Sequence, residues 1–224
     1  WRSAVVDQAP ETLDFLHQPT FSLTPQTPIM TAGSCFAQHL HRRLTKAGWA
    51  VVQSEAAPAQ LPAAVRRKFG YDPSSARYGN IYTARRLLEL LTDALSRETA
   101  PTLIWERDGR FFDALRPGVE PNGLANSEDV ARARQAHLRA VRAVLNTTQV
   151  LVFTLGLTEA WIDAETGRTL PTAPGTIAGD ITRTPATFHN FTYPEIMADL
   201  RGVVALFAQH DLDIKILLTV SPVP

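Results

Sequence analysis

The chain holds one cysteine in 224 residues, which excludes an internal disulfide and any zinc centre built on several thiolates. A lone thiol fits a reducing compartment, so a cytoplasmic location is the expectation. Excess charge of one sign is also missing, since 22 Lys and Arg stand against 22 Asp and Glu. That balance gives no reason to expect a nucleic acid or an anionic membrane as partner. No apolar run is long enough to span a bilayer and no signal peptide opens the chain, so a soluble protein is expected. Low-complexity tracts and metal-ligand spacings are absent too, which leaves one domain over residues 1–224, with no cofactor and no metal, as the simplest organisation.

What is present is an alternation of strand and helix patterns. Residues 1–28 contain four prolines, Pro10, Pro19, Pro25 and Pro28, and read as an extended lead-in. Ile29-Met30-Thr31-Ala32 then forms a short apolar strand that runs through Gly33 into a helix with Phe36, Leu40, Leu44 and Ala47 at helical spacing, stopped by Gly48. Residues 49–53 read as a second strand, and residues 54–73 as irregular. Thr83 is a helix cap ahead of the broad apolar face of Leu87, Leu88, Leu90, Leu91 and Leu95. Residues 102–105 and 110–115, separated by Arg107-Asp108-Gly109, are expected to make a hairpin with a glycine-bearing turn.

Ser127 is expected to cap a long helix to about residue 146, followed by the near-continuous apolar strand of residues 149–155. Residues 160–190 read as an excursion with turns, with His189 in a loop. A helix over 193–209 and a strand over 214–220 close the pattern. Such alternation predicts an α/β fold in which helices cover both faces of a parallel sheet. Ligands in such folds sit beyond the carboxyl ends of strands, which directs attention to residues 33–35, 156–159 and 221–224.

Two nucleophile-capable side chains, Ser34 and Cys35, stand at the first of these exits, where a helix N-terminus depresses a thiol pKa and stabilises an oxyanion. Serine is equally suited to capping the helix, and cysteine to burial. Of the histidines, His39 and His41 lie on the helix after Cys35; His39 is able to approach it, but solvent exposure is the expectation. His137 and His210 read as surface helix residues, and His189 is the in-chain base worth testing. A thiolate opening a helix also evokes papain-type proteases, but the preceding strand and the α/β alternation argue against that.

Taken in order, Trp1-Arg2, Gly33-Ser34-Cys35-Phe36-Ala37, Tyr78-Gly79-Asn80-Ile81-Tyr82-Thr83, Gly156-Leu157-Thr158-Glu159-Ala160-Trp161 and Ser221-Pro222-Val223-Pro224 resemble the bacterial GSCFA-domain family along the whole chain. That family in turn resembles the SGNH, or GDSL-like, hydrolases. The resemblance implies a three-layer α/β/α fold with a flavodoxin-like parallel sheet, and esterase or acyl-transfer chemistry on an ester, such as that of a small molecule or a glycan.

Glycine-on-glycine alignment with Gly-Asp-Ser puts Ser34 at the Asp position and Cys35 at the nucleophile; serine-on-serine loses the glycine, so both remain candidates, with Cys35 favoured. Gly79, next to Asn80, matches the oxyanion glycine. Gly156-Leu157-Thr158-Glu159 stands where the family pattern reads Gly-x-Asn-Asp, so Thr158 replaces the asparagine donor. Glu159, Trp161 and His189 are expected near the substrate. The Asp-x-x-His block follows the final strand in that pattern and is expected beyond Pro224, so the domain is expected to be incomplete here. The alternative is a non-catalytic binding module that keeps the pocket.

Overall fold

The computed structural model describes Asp7, Ala9 and residues 20–71, 73–98 and 102–221. Strand β1 (Ile29–Gly33) is buried along its length and passes into helix α1 (Cys35–Lys46) through Ser34, whose Oγ accepts a hydrogen bond from the Phe36 amide at 3.4 Å. Gly33 has a φ of 143°, and a Cβ there would meet the Thr154 carbonyl oxygen at 2.6 Å. Only glycine lets the strand leave the sheet at this angle.

Helix α2 (Ala63–Lys68) interrupts the stretch expected to be irregular. Thr83 caps α3 (Ala84–Leu95) by accepting from the Arg86 amide at 3.2 Å. The expected hairpin forms from β2 (Ile104–Arg107) and β3 (Arg110–Asp113), with Asp108 and Gly109 both at positive φ as a tight two-residue turn requires. Helix α4 (Ser127–Thr147) is capped one residue earlier than expected, by Asn126, because its Oδ1 reaches the Asp129 amide at 2.8 Å.

The chain then gives β4 (Val150–Leu155), β5 (Glu159–Asp163), β6 (Thr169–Leu170), β7 (Ala186–Asn190), α5 (Tyr193–Gln209) and β8 (Lys215–Val220). β1, β4 and β8 make a parallel sheet with β4 central, so the fold is α/β. The excursion of residues 160–190 is in fact a second, antiparallel sheet in the order β6-β5-β7, and His189 lies on a strand rather than in a loop. Two-residue and five-residue strands are too short to show a clear period in sequence.

Residues 49–53 do not form the expected strand. Val51 makes one parallel bridge to Ile29, on the side of β1 away from β4. The ladder goes no further because the Thr31 amide is spent on Ser75 Oγ and the Ser54 amide on the Ser75 carbonyl, while the Ala50 amide turns back to the Pro25 carbonyl. On one face of the parallel sheet, Met30, Ala32, Leu151 and Phe153 pack with α3, α4 and α5; on the other, Ile29, Val150 and Val152 meet Leu40 and Leu44 of α1. Among the described residues no helix is long and apolar enough to cross a membrane.

Candidate functional site

The loop of residues 78–83 is strapped across the carboxyl ends of β1 and β4. The Gly33 carbonyl accepts from Ile81 N at 2.8 Å, and the Tyr82 carbonyl accepts from Gly156 N at 3.2 Å and Leu157 N at 3.0 Å. These bonds bring the predicted motifs together. A methyl on Gly156 would lie 3.0 Å from Ser34 Cβ and 3.5 Å from both Ser34 Oγ and the Tyr82 ring, so this contact also demands a bare backbone. Asn80 is held at both ends of its amide, accepting from Gln38 Nε2 and donating to Tyr82 Oη, each at 2.8 Å.

Ser34 and Cys35 differ in access. Ser34 is only 4% exposed and caps α1, whereas Cys35, the first residue of the helix, is exposed. Cys35, Gln38 and Arg42 fall at i, i+3 and i+7, one face of α1. Gln38 and Arg42 on that face line a cavity of about 540 Å³, together with Gly79, Asn80 and Tyr82. A neighbouring cavity of about 330 Å³ is lined by Glu159, Trp161 and Phe188 and shares the wall of Tyr82, Pro171 and Thr172.

A family model described as the GSCFA family matches residues 28–224. The chain belongs to the GSCFA family. No curated protein matches, and no solved structure matches.

Beneath the larger cavity this GSCFA chain carries a run of buried ions. Asp93 of α3 accepts from Arg134 Nη2 of α4 at 2.7 Å and also pairs with Arg168. Arg134 lies 3.7 Å from Asp113, which accepts from Arg116 Nε at 2.9 Å. Arg116 forms part of the cavity lining and reaches Glu55 at 3.8 Å, and Glu55 bonds His137 Nδ1 at 2.8 Å. Burial tends to raise the Glu55 carboxyl pKa, but the His137 bond and charge and the Arg116 guanidinium outweigh it and bring it down to about 2. Burial, then the charge of Arg116, lowers His137 to about 4.

His137 is therefore not the surface residue expected from its helix; its side chain is fully buried, and among the described residues its Nε2 has no hydrogen-bond partner. His41 is buried as well, with Nδ1 2.7 Å from Thr31 Oγ1, while His39 is exposed and accepts from Arg42. His189 sits on β7 with Nε2 2.8 Å from Glu195 Oε1, and Thr158 is exposed, its carbonyl accepting from Phe191 N. Of the predicted site residues, Gly79, Asn80, Glu159 and Trp161 line these cavities, whereas Ser34, Cys35, Gly156, Thr158 and His189 line neither. Among the described residues, no group of three His, Cys, Asp or Glu side chains is arranged to hold a metal ion.

The lining residues Gln38, Arg42, Arg67, Lys68 and Thr172 were not among those singled out from sequence. For Gln38 and Arg42 the signal was available, because they repeat Cys35 at helical spacing. Arg67 and Lys68 belong to the short helix α2, which carries no apolar stripe to announce it.

Proposed function

We propose that the protein is an SGNH-like esterase or acyltransferase in which Cys35 is the nucleophile. The observation that carries this reading is the position of Cys35. It is exposed at the N-terminus of α1, one turn before Gln38, which with Arg42 lines the larger cavity; Cys35 is not itself in that lining, and the buried Ser34 hydroxyl is occupied in capping. The order Val51 bridge, β1, β4, β8 supports the flavodoxin-like comparison. In that order the connections diverge between β1 and β4, which makes the Ser34–Gly156 contact a topological switch point.

In this reading the Cys35 thiolate attacks the ester carbonyl, and the C–O bond to the alcohol breaks as the thioester forms. The alcohol leaves with the proton that a base has taken from the thiol. Water then attacks the thioester in an esterase, and an acceptor hydroxyl does so in an acyltransferase, restoring Cys35. The N–H groups of the first turn of α1 and of the Gly79-Asn80 turn are the donors for the oxyanion, and Gln38 and Tyr82 fix the Asn80 amide beside them. Resemblance assigns the base to the loop after β8.

Hydrolysis of p-nitrophenyl acetate by the full-length protein tests this. Cys35→Ala is expected to lose roughly 10⁴-fold or more in kcat. Ser34→Ala removes a cap and is expected to cost about 1 kcal/mol of stability. Wild-type turnover in Cys35→Ala would refute the assignment. Absence of turnover on any ester by the wild type, with ligand binding retained, would favour the binding module.

A further inference from the structure

We infer that the ester taken by the larger cavity is an acidic one, a glycan ester whose sugar bears a carboxylate or a sulfate. This rests on the reading of that cavity as the ester site. Its described lining contains four cationic side chains, Arg42, Arg67, Lys68 and Arg116, and no carboxylate. Asp72 lies outside the described residues, and one further carboxylate leaves the cations in excess. In a chain with as many acids as bases, this is a local concentration of positive charge.

The four cations are not equivalent. Arg116 is buried and already paired with Asp113 and Glu55, so it closes the floor and has no charge to spare. Arg42, Arg67 and Lys68 are exposed, and among the described residues none lies within ion-pair distance of a carboxylate. Arg66, one residue before Arg67, instead binds the Leu61 and Ala59 carbonyls, which shows what a structural arginine does on this helix. Among the described residues, Arg67 and Lys68 make no such bond.

The remaining lining mixes apolar side chains, among them Pro73, Pro117, Val119, Pro171 and Ile177, with polar ones, which suits the apolar faces and hydroxyl edges of a sugar. Tyr71 and Tyr82 supply flat faces, and Gln38 and Asn80 supply neutral donors and acceptors. A cavity of about 540 Å³ admits a short oligosaccharide. The sugar's anion then lies against Arg67 and Lys68, and its ester is directed along α1 towards Cys35.

The test is a binding measurement that does not depend on turnover. Calorimetry on the full-length Cys35→Ala protein compares O-acetylated tri-galacturonate, a sulfated galactotriose and neutral galactotriose. At about 20 mM salt, one of the two acidic trimers is expected to bind at least about tenfold tighter than the neutral one, with the gap shrinking several-fold at about 0.3 M salt. Arg67→Gln/Lys68→Gln is expected to erase the gap, and Arg67→Lys/Lys68→Arg to keep most of it, with circular dichroism confirming that both variants fold. Equal affinity for all three trimers, failure of both acidic trimers to bind, or discrimination unchanged in the Gln variant would overturn the inference. Each of these results is independent of whether Cys35 proves to be the nucleophile.

Discussion

The molecule uses its cations in two opposite ways a few residues apart. In the buried layer, Arg134 and Arg116 each stand between carboxylates from different elements, and their charges are consumed in joining α3, α4 and β3. Around the cavity, Arg42, Arg67 and Lys68 face solvent without a carboxylate among the described residues. Buried charge without a partner is costly, so pairing marks the cations that hold the fold together. Exposed charge is tolerated unpaired, so its clustering needs another reason. The contrast is between charge spent on structure and charge left available for a ligand.

The sharpest way to break the comparison is to remove the most deeply buried cation. Arg134→Met strips Asp93 and Asp113 of a shared partner, and a loss of about 3–5 kcal/mol is expected. The urea unfolding midpoint measures it. A loss below about 1 kcal/mol would mean that Arg168 and Arg116 already satisfy the two carboxylates, and that the layer is not a continuous structural unit.

Acid probes the other end of the same layer. Below pH 6.5 the unfolded chain protonates His137, while the folded chain refuses the proton until about pH 4. The unfolded state then binds more protons, and stability falls by about 1.4 kcal/mol per pH unit across that window. Glu55 acts in the same direction at lower pH, because its carboxyl is held at about 2 against an ordinary 4.5. Unfolding free energies at pH 6.5 and 5 in the wild type and in His137→Gln isolate the histidine. The variant is expected to show the shallower slope, and equal slopes would place the imidazole in a less demanding site than its burial implies.

This layer also marks the limit of what the sequence disclosed. The strand-turn-helix at Gly33, the Thr83 cap and the hairpin at Asp108-Gly109 were legible because each depends on residues adjacent in the chain. His137 was misread because its Glu55 partner is 82 positions away, and helical spacing alone does not reveal a distant carboxylate. The second sheet was hidden by its short strands, and residues 49–53 looked like a strand because side-chain pattern says nothing about amides bonded elsewhere. At the site, the motifs at Gly33, Gly79 and Gly156 were visible from resemblance. The straps that join them run between backbone atoms, which no side-chain pattern encodes.

The smallest effect is expected at the cavity rim, and it is the one that separates the two uses of charge most directly. Arg67 and Lys68 end α2, where positive charge is favoured by the helix dipole by about 0.3–1 kcal/mol. They also share one cavity lining with Arg42, and like charge around it works against the dipole. With Lys68 only 6.0 Å over the Phe69 ring and Arg67 exposed, neither is packed well enough to add much more. Arg67→Gln/Lys68→Gln is therefore expected to shift stability by less than about 0.5 kcal/mol in urea unfolding at neutral pH. A loss of more than about 1 kcal/mol would class the pair with Arg134 as structural cations and remove the reason for giving their charge to a ligand.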